Sequence, residues 1–359
     1  MVALPLPRRP RPQASRSLPR PTPRLVTLLL VLLLLAVSVI SLGTGAAGLR
    51  LTEILPALFG EGLDRRAEVI LWDIRLPRLA LGIVVGASLA LSGALLQGLF
   101  RNPLADPGIV GVGAGAGLGA VLAIVLGGLL PPAIAAWTGL HLVPFAAFLG
   151  GLGVTLLLYR LATRGGQTSV ALLLLAGIAL AAFAGAATGI LIYMADDRQL
   201  RDLTFWSMGS LAGASWAKLG GALPLILPAM IAAPFLARGL NALALGEAQA
   251  LHLGIRVQAM KRLAVFVTAA ATGAAVAVSG GIGFIGIVVP HLLRLFAGPD
   301  HRALLPQSAL LGAALLVAAD MIARSIVAPA ELPIGIVTAC LGAPVFLWIL
   351  LGRRGLTGL

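Results

Sequence analysis

Residues 72–117 read WDIRLPRLALGIVVGASLALSGALLQGLFRNPLADPGIVGVGAGAG. No charged side chain lies between Arg78 and Arg101, and a helix needs about 20 mostly apolar residues to cross a bilayer. Beyond that run, Asn102, Pro103, Asp106 and Pro107 predict a turn. The prolines lack the N–H that would continue a helix, and the Asn102 and Asp106 side chains can satisfy the backbone groups set free. A second apolar run follows, opening on the glycines of GVGAGAGLG at 111–119. These glycines suit close packing of membrane helices better than a phosphate loop, because no soluble strand precedes them.

The whole chain has the same character. Of its 359 residues, 59% are hydrophobic and only 11% are charged, where a soluble domain carries about 25%. A soluble cytosolic enzyme is excluded on that ground. Windows free of Asp, Glu, Lys and Arg predict spans at 25–49, 79–100, two within 107–159, then 165–195 and 219–237. Pro131, Pro132 and His141 mark the break inside 107–159. The window 263–293 contains GGIGFIG (280–286) and Pro290, and reads as one full span and one shorter, broken span. Windows at 303–319 and 332–352 bring the total to ten. The fold class is therefore all-α and polytopic.

Basic residues set the orientation, because Lys and Arg collect on the cytoplasmic side. Six arginines fall in 1–24, and Arg160, Arg164, Arg238, Arg256, Lys261, Arg262, Arg302, Arg353 and Arg354 share their side. The opposite side balances Arg50, Arg65, Arg66, Arg75, Arg78, Arg198 and Arg201 with acids including Glu53, Glu61, Asp64, Glu68 and Glu331. Both termini are thus predicted inside. Residues 1–24 form a Pro/Arg tract too rich in proline to fold alone. The apolar run from Leu25 to Leu42 exceeds the about 7–15-residue core of a signal peptide, so it reads as a true span.

Catalytic equipment is scarce. The four histidines (141, 252, 291 and 301) are scattered, GxxxxGK[ST] is absent, and no GxSxG stands beside an acid and a base. Asp320 is the one acid well inside a span, pairing by spacing with Arg324 one turn on. Cys340 lies in an apolar run and reads as a small buried residue. The longest inner loop, RGLNALALGEAQALHLGIRVQAMKR (238–262), predicts two short helices separated by Gly246 and closed by Gly254. Such an element suits either a membrane surface or the groove of a soluble partner.

Residues 72–117, Gly246-Glu247-Ala248, GGIGFIGIVVPHLLRLFAGPDHRALLP (280–306), AADMIAR (318–324) and ELPIGIVTACLGAPVF (331–346) together resemble the FecCD family. Its members are permease subunits of bacterial ABC importers for haem, ferric siderophores and cobalamin. The resemblance runs from about 25 to 354, leaving 1–24 and 355–359 as cytoplasmic tails. It implies a type II importer permease in the bacterial inner membrane, working as a homodimer with two cytoplasmic ATPase subunits and a periplasmic binding protein. It implies no catalysis by this chain, no resident metal or cofactor and no nucleic-acid partner; membrane lipid surrounds it. Gly246, Glu247, Ala248, Ala250, Leu253 and Gly254 match the loop that couples to the ATPase. Arg75, Arg78 and Arg324 match positions that meet acidic side chains of the binding protein; on charge alone, snorkelling to headgroups is the favoured reading of Arg75 and Arg78, and the family match turns it toward docking. A secondary transporter would share broken helices and buried charges, but has no ATPase for the 246–254 loop to engage.

For the ligand, YMADDRQLRDLTFWSMGSLAGASW (193–216) is most similar to the haem-importing members, with ferric siderophore and cobalamin as alternatives. Arg198 and Arg201 could attract haem propionates, and Met208 stands beside them as a further pathway residue. His141, His291, Tyr193, Met194 and Met208 are the candidate axial ligands, though packing is the favoured reading of each.

Overall fold

The structure, a computed structural model, describes residues 21–45, 64–108, 111–165 and 167–352. The expectations for residues 1–20, for Arg50, Glu53 and Glu61, and for the tail from Arg353 onward lie outside the described residues.

Among the described residues, ten apolar helices of 12 residues or more form the body, and the charge-free windows anticipated each of them. Spans 1 to 5 are Pro23–Gly43, Leu76–Leu99, Val112–Leu126, Leu142–Ala162 and Val170–Met194. Spans 6 to 10 are Trp216–Ala232, Val257–Ser279, Ile285–Phe296, His301–Ser325 and Ile334–Gly352. Eight of the described helices are long and apolar enough to cross a membrane; spans 8 and 10 are the shorter apolar pieces. Span 8, at 12 residues, reaches only about 18 Å, so the extended break at 280–284 supplies the rest of the passage from the outer end of span 7 to the inner end at Asp300.

Local chemistry sets the ends. Thr22, Ser169 and Ser215 cap spans 1, 5 and 6, each accepting from a backbone N–H three residues on, which satisfies donors that a helix start leaves orphaned. In the turn after span 2, Asn102 accepts from the Leu104 N–H at 2.9 Å and Asp106 from the Gly108 N–H at 2.8 Å. Span 7 stops at Gly280, in a left-handed conformation (φ +70°), and residues 280–284 form the break expected from GGIGFIG. Before span 2, a π-helical turn, Ile70–Arg75, runs directly into the helix at Pro77. Such wide turns accommodate a register change, and here the turn leads into the helix between Arg75 and Arg78, both of which are buried.

Span 2 is the axis of the molecule. It is buried from Val85 through Leu99 and packs on spans 7, 8 and 9. Glycines make that possible: a Cβ on Gly86 would fall 2.4 Å from the Gly312 carbonyl oxygen of span 9. Spans 3 and 4 meet the same way, since a Cβ on Gly115 would lie 2.4 Å from the Gly150 oxygen. Without a hydrophobic force between helices in lipid, such close backbone contact is what holds them.

One expectation fails here. Cys340 is exposed on span 10 because, in a bilayer, an apolar run can face outward into hydrocarbon.

Candidate functional site

Charged groups gather at the two ends of this bundle. At the outer end, the Arg78 guanidinium grips Asp320 through Nε (3.1 and 3.0 Å) and Nη2 (2.8 Å). It also bonds Glu331 through Nη1 (2.8 Å) and Nη2 (3.0 Å). Arg324 stands 3.5 Å from Asp320, the pairing its one-turn spacing predicts. Arg324 also donates to the Ser41 carbonyl and hydroxyl at 2.7 Å each, and to the Thr44 carbonyl at 2.9 Å. Arg75 donates to the Leu42 carbonyl. The last turn of span 1 leaves carbonyls without intrahelical donors, and two guanidinium groups, from the turn before span 2 and from span 9, fill that need.

The structure therefore brings Arg75, Arg78 and Arg324 into one cluster. They are buried and bonded within the chain (Arg75 is 5% exposed), so snorkelling to headgroups does not describe them. Three cations face two carboxylates, leaving the cluster itself net positive. Sequence reasoning missed Glu331 and Ser41. The available signal was an isolated acid between two spans, on a side already rich in arginine.

At the inner end, the loop 238–262 folds as two short helices, Ala237–Ala244 and Glu247–His252. Gly246 (φ +117°) turns between them and Gly254 (φ +78°) closes the second, backbone conformations that a Cβ resists. Ala248, Leu251 and Leu253 are exposed; the two leucines are 60% and 56% accessible. Ala250 differs from expectation, being fully buried. Its small size serves packing within the chain, where it joins the core of spans 2, 6 and 7. Glu247 pairs with this chain's own Lys261 at 2.7 Å. Lys261 is 3% exposed and also donates to the Thr168 carbonyl at 3.2 Å, so the pair ties the loop to span 7 and to the paired strands 163–164 and 167–168. A lone lysine among apolar residues near a span end demanded such a partner.

Nearby, Asp300 accepts from Asn241 (2.6 Å) and from the Arg302 N–H (2.9 Å). The backbone bond first, then Asn241, holds its carboxyl below the usual carboxylate range. Asn241 in turn accepts from the His301 N–H at 3.0 Å.

Arg198, Arg201 and Met208 lie elsewhere, on and after the outer helix Asp197–Ser207. Arg198 and Arg201 are exposed, and neither is in an ion pair among the described residues. The Met208 carbonyl accepts from the Gly335 N–H at 3.0 Å and Gly209 from Ile334 at 3.1 Å, stitching this helix to the start of span 10. Of the candidate axial ligands, Tyr193 is 92% exposed and His291 is buried. No group of three or more His, Cys, Asp or Glu fit to hold a metal ion occurs among the described residues. Between the turn 106–108, Gly113, Gly117, Trp206, Thr272 and the break 281–286 lies a 370 Å³ cavity.

A family model described as the FecCD transport family matches residues 32–352. The chain is 51% identical to the hemin transport system permease of Yersinia pestis, over 79% of this chain and 83% of that protein. It is 46% identical to the cobalamin import system permease of Halobacterium salinarum, over 82% and 76%. With the vitamin B12 import system permease of Klebsiella pneumoniae the identity is 44%, over 82% and 86%. Among solved structures, a metal-chelate type ABC transporter in an inward-facing conformation superposes with a TM-score of 0.80 at 34% identity, covering 92% of this chain and 99% of that one.

Proposed function

The chain belongs to the FecCD transport family, and from that premise we propose that it is the permease subunit of an ATP-driven importer that carries haem inward. It is a multi-pass inner-membrane protein and a non-catalytic membrane subunit. The observation that favours haem is the greater identity to the hemin permease than to the cobalamin and vitamin B12 permeases. Haem is cargo here, and the chain needs no resident cofactor.

In this reading a periplasmic binding protein docks at the outer end, over the positive cluster of Arg75, Arg78 and Arg324. The three guanidinium groups are buried, so the cluster acts on acidic side chains of the binding protein through its net positive field, and such charge complementarity steers docking. Two copies of the chain enclose the pathway. The apolar outer face of span 5, with Ile178, Phe183 and Ile190 exposed, supports that pairing. Arg198 and Arg201 at the outer mouth attract propionates, and Met208 lies just beyond them.

Two ATPase subunits engage the inner loop, where Ala248, Leu251 and Leu253 offer a small apolar surface on a helix held by Gly246, Gly254 and the Glu247–Lys261 pair. A short helix fixed at both ends moves as a body, so closure of the ATPases reaches span 7 directly.

Uptake into proteoliposomes containing this chain, its ATPase and its binding protein tests the proposal, with haem, a ferric siderophore and cobalamin compared side by side. ATP-dependent accumulation of haem above the other two supports it. Equal or greater uptake of cobalamin overturns the ligand, and uptake without the ATPase overturns the class.

A further inference from the structure

Spans 4 and 6 both pack on span 7 and leave an open groove between them at its outer end. The groove encloses 430 Å³ and is lined by Phe145 and Phe148 of span 4, Ala222 and Leu225 of span 6, and Ala277 and Val278 of span 7. That volume lies within the range of small-molecule sites. Its rim is polar: His141 and Lys218 close the outer end. A second cavity of 280 Å³ adjoins it, sharing Lys218, Ala277 and Val278 and adding Ser210 and Ser279.

Lys218 is the unusual member. It sits three residues into span 6, half-buried, and its ammonium has no hydrogen bond or ion pair among the described residues. It does not extend freely toward water; a Cβ on Gly213 would fall 2.9 Å from Nζ, so the ammonium lies against the 210–214 loop. A cation at the edge of hydrocarbon is costly without a counter-charge, yet no Asp or Glu lines either cavity among the described residues. Trp216, two residues earlier, donates its indole N–H to the Trp72 carbonyl at 2.8 Å, the placement typical of the headgroup level. From Lys218 to Leu225 the apolar wall descends about 10 Å into the outer leaflet.

We propose that this groove binds an anionic phospholipid, its phosphate on the Lys218 ammonium and an acyl chain between spans 4 and 6. The bilayer itself supplies the occupant, since the groove lies between membrane-spanning helices and its walls expose Phe145 and Leu225. The charge pattern selects the headgroup. A phosphate satisfies Lys218, and the Ser210 hydroxyl, which already accepts from the Ala212 N–H at 3.1 Å, still has its own hydrogen to donate. The ammonium of a zwitterionic headgroup would meet Lys218 with no carboxylate to receive it.

Native mass spectrometry of the full chain, equilibrated with phosphatidylglycerol and phosphatidylethanolamine, tests the proposal. The expected result is about fivefold greater retention of phosphatidylglycerol. Lys218→Gln abolishes that preference and Lys218→Arg keeps it. Ala277→Trp, which fills the groove, reduces retention of both lipids, and inorganic phosphate does not compete. Equal retention of the two lipids by the native chain overturns the proposal, as does an undiminished preference in Lys218→Gln. Competition by inorganic phosphate alone would assign the site to a free anion. If Ala277→Trp changes the oligomeric state and leaves bound lipid unchanged, a second protein chain covers the groove and the lipid site is refuted.

Discussion

Glu247 and Lys261 close a 2.7 Å ion pair between the short helix after Gly246 and the inner end of span 7. The two carboxylate and ammonium partners are unequal: the lysine is almost wholly buried, the glutamate partly exposed. Lys261 also holds the Thr168 carbonyl, so one ammonium joins the inner loop, span 7 and the connection between spans 4 and 5. Span 7 in turn packs along span 2, whose outer end carries Arg78. A continuous set of rigid contacts therefore links the two charged ends.

Glu247→Gln should leave Lys261 with a neutral partner in place of a carboxylate. The cost to stability is about 1–2 kcal/mol, moderated by the exposure of Glu247. The larger effect falls on coupling: ATP hydrolysis by the assembled transporter should lose its stimulation by loaded binding protein. Stimulation at the native level would show that the pair only satisfies a buried charge.

The outer cluster makes a graded prediction. Asp320 is buried and serves both Arg78 and Arg324, so Asp320→Asn leaves Arg78 with Glu331 alone and Arg324 with only neutral acceptors, and breaking a buried pair costs about 3–5 kcal/mol. Glu331 is more exposed and bonds Arg78 alone, so Glu331→Gln should cost about 1 kcal/mol or less. Thermal unfolding in detergent ranks the two, and a larger loss from Glu331→Gln would refute the assignment of Asp320 as the hub.

These contacts show where sequence reading ends. The spans were legible because hydrocarbon tolerates few charges, and that constraint acts residue by residue. The Asp320–Arg324 pair was legible because helical spacing alone brings the two together. Glu331 on Arg78 was not, because 253 residues separate them and only the packing of span 2 on span 9 makes them neighbours. Ala250 illustrates the converse. Its place in a short loop helix suggested a partner-facing residue, but which face of a six-residue helix turns inward depends on the spans beneath it.

The glycines of 111–119 separate into two kinds. A Cβ on Gly115 meets the Gly150 oxygen at 2.4 Å, whereas a Cβ on Gly113 meets nothing within 4 Å. Gly115→Ala should therefore force spans 3 and 4 apart at a cost of about 1–3 kcal/mol. Gly113→Ala should be within about 0.5 kcal/mol of the native chain. Unfolding of the two variants under one condition checks this; equal losses would mean that the whole cluster acts through backbone flexibility.

Acid should loosen the inner face through Asp300. Its folded-state carboxyl titrates below the ordinary value, so its bonds to Asn241 and the Arg302 N–H stabilise the fold fully above the unfolded pKa, about 3.9. That contribution is lost as pH falls through the lower, folded value. Stability measured from pH 6 to pH 3 should decline at the acid end, and Asp300→Asn should flatten that limb. An identical acid limb in the variant would assign it to other carboxylates.

The sharpest test of the inner loop lies at Leu251 and Leu253. Ala250→Arg would break the chain's own core, since Ala250 is fully buried, and loss of transport in that variant would say little about a partner. Leu251 and Leu253 instead leave more than half their surface exposed on a helix whose start and finish are fixed by Gly246 and Gly254. Exposed leucines on a fixed helix, facing the cytoplasm, provide the apolar contact that holds a soluble subunit in a groove. Leu251→Ser with Leu253→Ser should leave membrane insertion and thermal unfolding unchanged, because neither side chain contributes to the core. Binding of the ATPase subunit, measured by co-purification, should fall at least tenfold, and ATP-driven uptake should fall with it. If the doubly substituted chain binds the ATPase and transports normally, the loop lies on the membrane surface and the coupling contact is elsewhere.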